Sequence, residues 1–268
     1  MDNRAIGVFD SGIGGLTVLK EIQNLLPNES IIYFGDCARI PYGTKSKQTI
    51  VKYACQDVRF LMTHNVKLIV IACNTASACS LKEIQQTSDI NVIDVIKPGA
   101  YGAANATCNK KVGIIGTQTT INSQVYENAI KQNDSSIETY TAACPLFVPL
   151  VEEGWWDDEV TQKVAQRYLF PLKNTGIDTL VLGCTHYPLL TDIIRNIMGN
   201  STTLINSGTQ AAKATMDFIS RNDMQRDITL KPEYKYYTSD SIDKFRNLGA
   251  LFLTKPINSV EKIDIEKY

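Results

Sequence analysis

No run in this 268-residue chain approaches the roughly 20 consecutive apolar residues that a membrane span needs. No basic stripe stands out either: 27 Lys and Arg are interspersed with 28 Asp and Glu, for a net charge of −1. Neither nucleic acid nor a membrane is therefore expected as primary partner. The first strand-like segment begins at Ala5, which leaves no room for a secretory signal, so a cytoplasmic location is expected. Seven cysteines, an odd number without framework spacing, argue for free thiols rather than disulfides. Nucleotide fingerprints are missing as well. Gly12-Ile-Gly-Gly15 follows a strand and Asp36 ends the next, but the third glycine of a dinucleotide loop falls on Thr17. Gly43-Thr-Lys-Ser46 has the wrong order for a phosphate loop. What remains, 44% hydrophobic and 21% charged, is the composition of an ordinary globular protein with room for one large domain or two smaller ones.

Short apolar runs recur, each followed by small and polar residues and then a helical stretch. Strands are expected at Ala5-Ile-Gly-Val-Phe9, Ser30 to Phe34, Lys67 to Ala72, Lys111 to Ile115, Ile137 to Tyr140 and Thr179 to Leu182. Helices are expected over Gly15 to Leu26, where Leu16, Leu19, Ile22 and Leu26 share a face ahead of Pro27, over Ser46 to Thr63, and over Thr75 to Gln86. Apolar strands alternating with helices imply a parallel sheet covered on both faces. The halves also echo each other: Leu68-Ile-Val-Ile-Ala-Cys-Asn-Thr75 has its counterpart in Thr179-Leu-Val-Leu-Gly-Cys-Thr-His186. Near the end Lys235 to Tyr237 reads as a strand and Ser241 to Leu253 as a helix, so the chain returns to its first half. The expected fold is α/β with two similar domains, each a mostly parallel sheet flanked by helices, and an active site in the cleft between them. Residues 1–98 with 208–268 form the first domain and 99–207 the second, the changeovers lying near Pro98-Gly99 and Ser207-Gly208.

Ligands in open parallel sheets bind beyond the carboxyl ends of the strands. The segments there include Asp10-Ser11-Gly12, Asp36 to Gly43, Cys73-Asn74-Thr75, Gly116-Thr117, Cys144 to Gly154 and Cys184-Thr185-His186. Arg39 is the only arginine among them, which points to an anion held by N–H, hydroxyl and amide donors at helix N-termini rather than by a salt bridge. Cys55, Cys79 and Cys108 read as packing residues, and so do Cys37 and Cys144 nearer the rim. Cys73 and Cys184 differ: each ends an apolar strand that opens into a helix, where a thiol's pKa is expected to be pulled down. Two thiols on opposite sides of one carbon are what stereoinversion by proton transfer requires. His186, two residues beyond Cys184, points the same way in an extended chain and is placed to trade a proton with it. Asp10 either plays the matching role for Cys73 or caps the following helix. Glu152 either supports the second thiol or is a solvated loop acid. His64 ends a helix with no such neighbour and reads as structural.

At these residues the chain resembles the glutamate racemases, within the aspartate/glutamate racemase superfamily. The resemblance rests on Gly7-Val-Phe-Asp-Ser-Gly-Ile-Gly-Gly-Leu-Thr17, Ala38-Arg-Ile-Pro-Tyr-Gly43, Ala72-Cys-Asn-Thr-Ala-Ser77, Cys144-Pro-Leu-Phe-Val-Pro-Leu-Val-Glu-Glu-Gly154 and Leu182-Gly-Cys-Thr-His-Tyr-Pro188, in order over nearly the whole chain. It implies that Cys73 and Cys184 are the proton donor/acceptors, with Asp10, Glu152 and His186 assisting. It implies substrate contacts at Asp10, Ser11, Tyr42, Gly43, Asn74, Thr75, Thr117, Thr120, Thr185 and His186. It further implies glutamate as substrate, no cofactor or metal, a homodimer, and a role in supplying D-glutamate for peptidoglycan synthesis and so for cell wall biogenesis and cell shape. Cys37 departs from the family pattern. The alternatives are a racemase for aspartate or another small amino acid, a zinc hydrolase using Cys73, Cys184 and His186 as ligands, and a binding protein that leaves the α-proton in place.

Overall fold

A computed structural model describes residues 1–268. Apolar runs rich in β-branched and aromatic residues set the strands of the first half: β1 (Ile6–Asp10), β2 (Ile31–Gly35) and β3 (Leu68–Ile71), with β4 (Val92–Asp94) beside them. Between them run α1 (Leu16–Leu25), α2 (Lys47–Thr63) and α3 (Asn74–Thr87). The chain then crosses through α4 (Ile96–Ala106) into β5 (Lys111–Gly116), α5 (Gln118–Asn122), α6 (Val125–Asn133), β6 (Glu138–Ala143), α7 (Phe147–Glu152), α8 (Glu159–Lys173), β7 (Thr179–Gly183), α9 (Thr191–Met198) and β8 (Thr203–Asn206). Helix α10 (Ser207–Arg221) leads back to β9 (Tyr234–Thr238), α11 (Ile242–Leu253) and the two-residue β10 (Glu261–Lys262). The result is a two-domain α/β fold with two wholly parallel sheets, ordered β10-β9-β2-β1-β3-β4 and β6-β5-β7-β8.

Both faces of the first sheet are covered, so its strands are apolar on both sides. Ile6, Val8, Ile31, Tyr33, Leu68 and Val70 face one way, into a core of 49 residues that continues across α1, α10 and α4 into the second sheet. Phe9, Ile32, Phe34, Ile69 and Ile71 face the other way, into a separate 17-residue core with α2 and α3. Because the strands are parallel and in register, with Asp10 beside Gly35 and Gly116 beside Gly183, their carboxyl ends form two edges from which the functional loops spring. No helix is long and apolar enough to cross a membrane.

The expected changeover at Pro98-Gly99 lies within the first turn of α4, and the chain leaves the first sheet at Asp94. A proline in a first turn forfeits no helix hydrogen bond. The glycines have a packing reason: a Cβ on Gly99 would sit 3.3 Å from the Tyr126 ring, and one on Gly102 2.8 Å from Gln210.

Candidate active site

The two carboxyl edges enclose a cavity of about 370 Å³. Ser11, Tyr42, Gly43, Cys73, Asn74 and Thr75 line it from one side, and Thr117, Glu152, Cys184, Thr185 and His186 from the other. Of the expected residues, Asp10 and Thr120 stand behind the wall rather than in it. Gln118 and Val148 line the cavity without having been singled out. Gln118 directly follows Thr117 at the opening of α5, so a longer reading of that strand end reaches it.

Cys73 is the N-cap of α3, and its Sγ accepts the Ala76 N–H at 3.4 Å and lies 3.6 Å from Ser11 Oγ. The expected pull-down of its pKa does not occur. Burial, and after it the neighbouring Asp10 carboxylate, pushes the thiol up to about 12, against the smaller lowering by Ala76 and Ser11. Helix placement was legible in the sequence; depth of burial was not. Asp10 is itself fully buried, and burial raises its pKa. Its Oδ2 accepts the Gly12 N–H at 3.0 Å while Oδ1 has no partner. The Gly15 and Gly12 backbone N–H groups, at the start of α1 and just before it, act on this carboxylate in the opposite sense to burial and lower its pKa.

On the opposite wall Cys184 Sγ lies 3.9 Å from His186 Nδ1, and His186 Nε2 lies 3.3 Å from Glu152 Oε1. This thiol–imidazole–carboxylate line does not arise from an extended chain as expected, since His186 has φ −80° and ψ −29°. A turn, not a strand, brings the ring back to the sulfur. Burial disfavours charge on His186, but Cys184 and Glu152 outweigh it and hold the imidazolium up to about 10. Glu152 ends α7 with its side chain one-fifth exposed; burial works against its ionisation, yet His186 keeps its pKa below the usual value. It is neither a loop residue nor fully solvated.

The remaining thiols lie elsewhere. Cys144 is buried in the large core, and burial pushes Cys37 up to about 12 beside Ile13, Ile40 and Phe245. Cys55 and Cys79 are partly buried and Cys108 is exposed. His64 stacks on Phe60 and Tyr237 in the second core.

No lysine or arginine lines the cavity. Arg39 is taken up by Asp36 at 2.7 Å, Asp57 at 3.1 Å and Glu266 at 3.2 Å, with Tyr53 beneath its guanidinium. The Tyr42 hydroxyl donates into the same acidic pair, leaving the ring and the Gly43 backbone to the cavity. Neutral donors remain. Asn74 Oδ1 accepts from the Tyr126 hydroxyl at 2.6 Å, while its amide nitrogen is buried without a partner. Thr75, Thr117 and Thr120 form a ring of hydroxyls at 2.9, 3.0 and 3.3 Å, and Thr119 donates to the Gly43 carbonyl at 2.8 Å. Such a wall suits a carboxylate, and the two thiols give it acid–base capacity on opposite sides. No group of three or more His, Cys, Asp or Glu side chains is placed to hold a metal ion, so the three-ligand zinc site is not formed.

Residues 6–215 match the family described as Asp/Glu/hydantoin racemase. The glutamate racemase of Geobacter metallireducens is 47% identical over 263 residues, covering 98% of this chain and 97% of that protein. Among solved structures, glutamate racemase from Francisella tularensis in complex with D-glutamate is 43% identical with a TM-score of 0.93, covering all of both chains. Glutamate racemase isoform RacE1 from Bacillus anthracis has a TM-score of 0.95 at 38% identity, over 98% of each chain.

Proposed function

The chain belongs to the Asp/Glu/hydantoin racemase family, and from that premise we propose that it is a glutamate racemase, an isomerase interconverting L- and D-glutamate by two-thiol proton transfer without a cofactor. The observation that carries the mechanism is that one cavity has a buried thiol on each wall, each with its own polar partner. Cys184 with His186 and Glu152 serves one face; Cys73 with Ser11 and Asp10 serves the other.

Resemblance to the family implies that Cys73 acts on the D-enantiomer and Cys184 on the L-enantiomer. The Cys184 thiolate, with the His186 imidazolium as counter-charge, takes the α-proton, and the C–H electron pair is left on the α-carbon, shared with the α-carboxylate. Cys73, neutral at ordinary pH because burial raises its pKa, delivers its proton to the opposite face. The thiols end in exchanged protonation states, so the reverse reaction begins where the forward one stops. Asn74, Thr75, Thr117 and Thr185 hold the substrate, with Ser11, Tyr42, Gly43 and Thr120 shaping or backing the wall. The division into residues 1–98 with 208–268 and 99–207 puts one thiol on each domain. A homodimer, a cytoplasmic location and supply of D-glutamate for peptidoglycan complete the reading.

Proton NMR of the α-position in D₂O tests it. L-glutamate should give D-glutamate carrying deuterium while early recovered substrate stays protiated, and the same should hold from the D side. Substantial α-protium in product, or equal early deuterium in substrate, would exclude two separate bases. Turnover of L-aspartate in place of L-glutamate would move the substrate assignment to aspartate.

A further inference from the structure

The two thiols are supported differently. Cys73 caps a 14-residue helix and is braced within its own domain. Cys184 caps no such helix: it begins a turn that runs into a four-residue 3₁₀ segment, Tyr187–Leu190. In that turn the Cys184 carbonyl takes the Tyr187 N–H and the His186 carbonyl takes the Leu189 N–H. The Thr185 carbonyl between them would take the N–H of residue 188, but Pro188 has none. A buried carbonyl left in this way needs a donor from elsewhere. Thr17 supplies it from the first domain. Its buried hydroxyl lies 2.7 Å from Thr185 O and 2.9 Å from Gly14 O; the Gly14 carbonyl already takes the Thr17 N–H at 3.0 Å, so the single hydroxyl proton is assigned to Thr185 O, the shorter contact. Gly14 closes the same contact: a Cβ there would lie 2.4 Å from His186 Cε1 and from Thr185 Oγ1, and 2.6 Å from His186 Nδ1, the nitrogen facing the thiol.

We propose that Thr17 and Gly14 are positioning residues for the second thiol: the first domain fills the hydrogen-bond vacancy created by Pro188 and leaves the space that fixes the His186 ring against Cys184. The inference rests on the two-thiol reading for its catalytic meaning, while its structural claim stands on the turn itself. It gives a different use to the position where a dinucleotide loop would need glycine. Neither residue lines the cavity.

The test uses the full chain with Thr17→Val, which removes the donor at nearly constant size, and Thr17→Ser, which keeps it. Two readouts are taken: kcat and KM for glutamate, and site-resolved alkylation of Cys184 and Cys73 by iodoacetamide, followed by mass spectrometry. Thr17→Val should lower kcat by about 10- to 100-fold with KM nearly unchanged, as expected for a misplaced reacting group. It should slow alkylation of Cys184 on the order of tenfold while Cys73 keeps its rate, because the imidazolium no longer faces that sulfur. Thr17→Ser should restore both. Equal changes at the two cysteines, no change at Cys184, or a serine variant as impaired as the valine variant would overturn the proposal. Gly14→Ala should produce the same pattern more strongly; if it does not fold, the Thr17 pair decides alone. Wild-type protein that leaves the glutamate α-proton unexchanged would end the racemase reading, yet the alkylation ratio would still decide the role of Thr17.

Discussion

Asp10 Oδ1, behind the cavity wall, and the Asn74 amide nitrogen, on it, are buried polar atoms without a partner in the chain, an arrangement that costs stability. Both lie on the Cys73 side of the site, as His186 and Glu152 lie on the Cys184 side. Losing either set should therefore be felt by one thiol more than by the other. Enantiomers have equal free energy in water, so kcat/KM must remain equal in the two directions for any variant; the asymmetry has to appear elsewhere. His186→Asn should lower kcat on the order of 10²–10⁴-fold and give a larger primary isotope effect from α-deuterated L-glutamate than from the D-enantiomer, with Asp10→Asn showing the opposite bias. Identical isotope effects in both variants would reduce these residues to packing roles. The same groups set the pH dependence of folding. His186 keeps its proton up to about 10 in the folded protein against 6.5 ordinarily, so its stabilisation is complete below 6.5 and fades as pH rises through 10. Cys73, neutral up to about 12 against 9.0, adds a loss that begins near 9. Urea midpoints should thus fall from about pH 7 to about pH 10, and fall less in His186→Asn; an unchanged midpoint in the wild type would contradict this. Sequence placed both cysteines at strand ends correctly. It could not give the sign of the Cys73 shift, because a strand–helix junction is visible in a residue string and the depth at which it is buried is not.

At the scale of elements, the wholly apolar strands were legible because β-branched and aliphatic runs such as Leu68 to Ile71 have few other uses. β4 and β8 were not, because each ends in a polar residue, Asp94 and Asn206, whose side chain accepts backbone N–H groups of the helix that follows. α4 was hidden by Pro98, Gly99 and Gly102, residues chosen for close packing rather than for helix propensity. The turn at Cys184 defeated an extended-chain argument because Pro188 reshapes the hydrogen bonding around it. Nor could the string foretell that α5, only five residues long, would bind the opposite rim through Thr119 and the Gly43 carbonyl. That contact ties α5 to Gly43, a residue of the cavity wall, without touching either thiol. Thr119→Val should accordingly raise KM by roughly 3- to 10-fold, the worth of one hydrogen bond, and leave kcat nearly unchanged in a steady-state assay. A fall in kcat with constant KM would place Thr119 in the chemistry rather than at the rim.

Across the whole molecule the large core runs unbroken from one sheet to the other, so the floor of the cleft is a packed apolar seam rather than a linker. A ligand bridging both walls then stabilises the entire fold. At about 100 times its Kd, glutamate should contribute about 2.7 kcal/mol and raise the thermal midpoint by roughly 5–10 °C. Saturating glutamate should also protect Cys73 and Cys184 from alkylation together, whereas exposed Cys108 stays reactive; protection of only one thiol would mean that the ligand does not lie between them. Arg39, bound by its three carboxylates, leaves this cavity without a lysine or arginine, and its one cation, the His186 imidazolium, is already paired with Glu152; the consequence reaches to the medium in which the protein works. Mobile ions weaken attraction between full charges but act little on an anion gripped at short range by amides, hydroxyls and backbone N–H groups. Glutamate affinity should accordingly stay within about twofold as potassium chloride rises from about 0.05 to about 0.5 M. Such a site keeps its grip on an anionic ligand when ionic strength swings, which an arginine clamp would not.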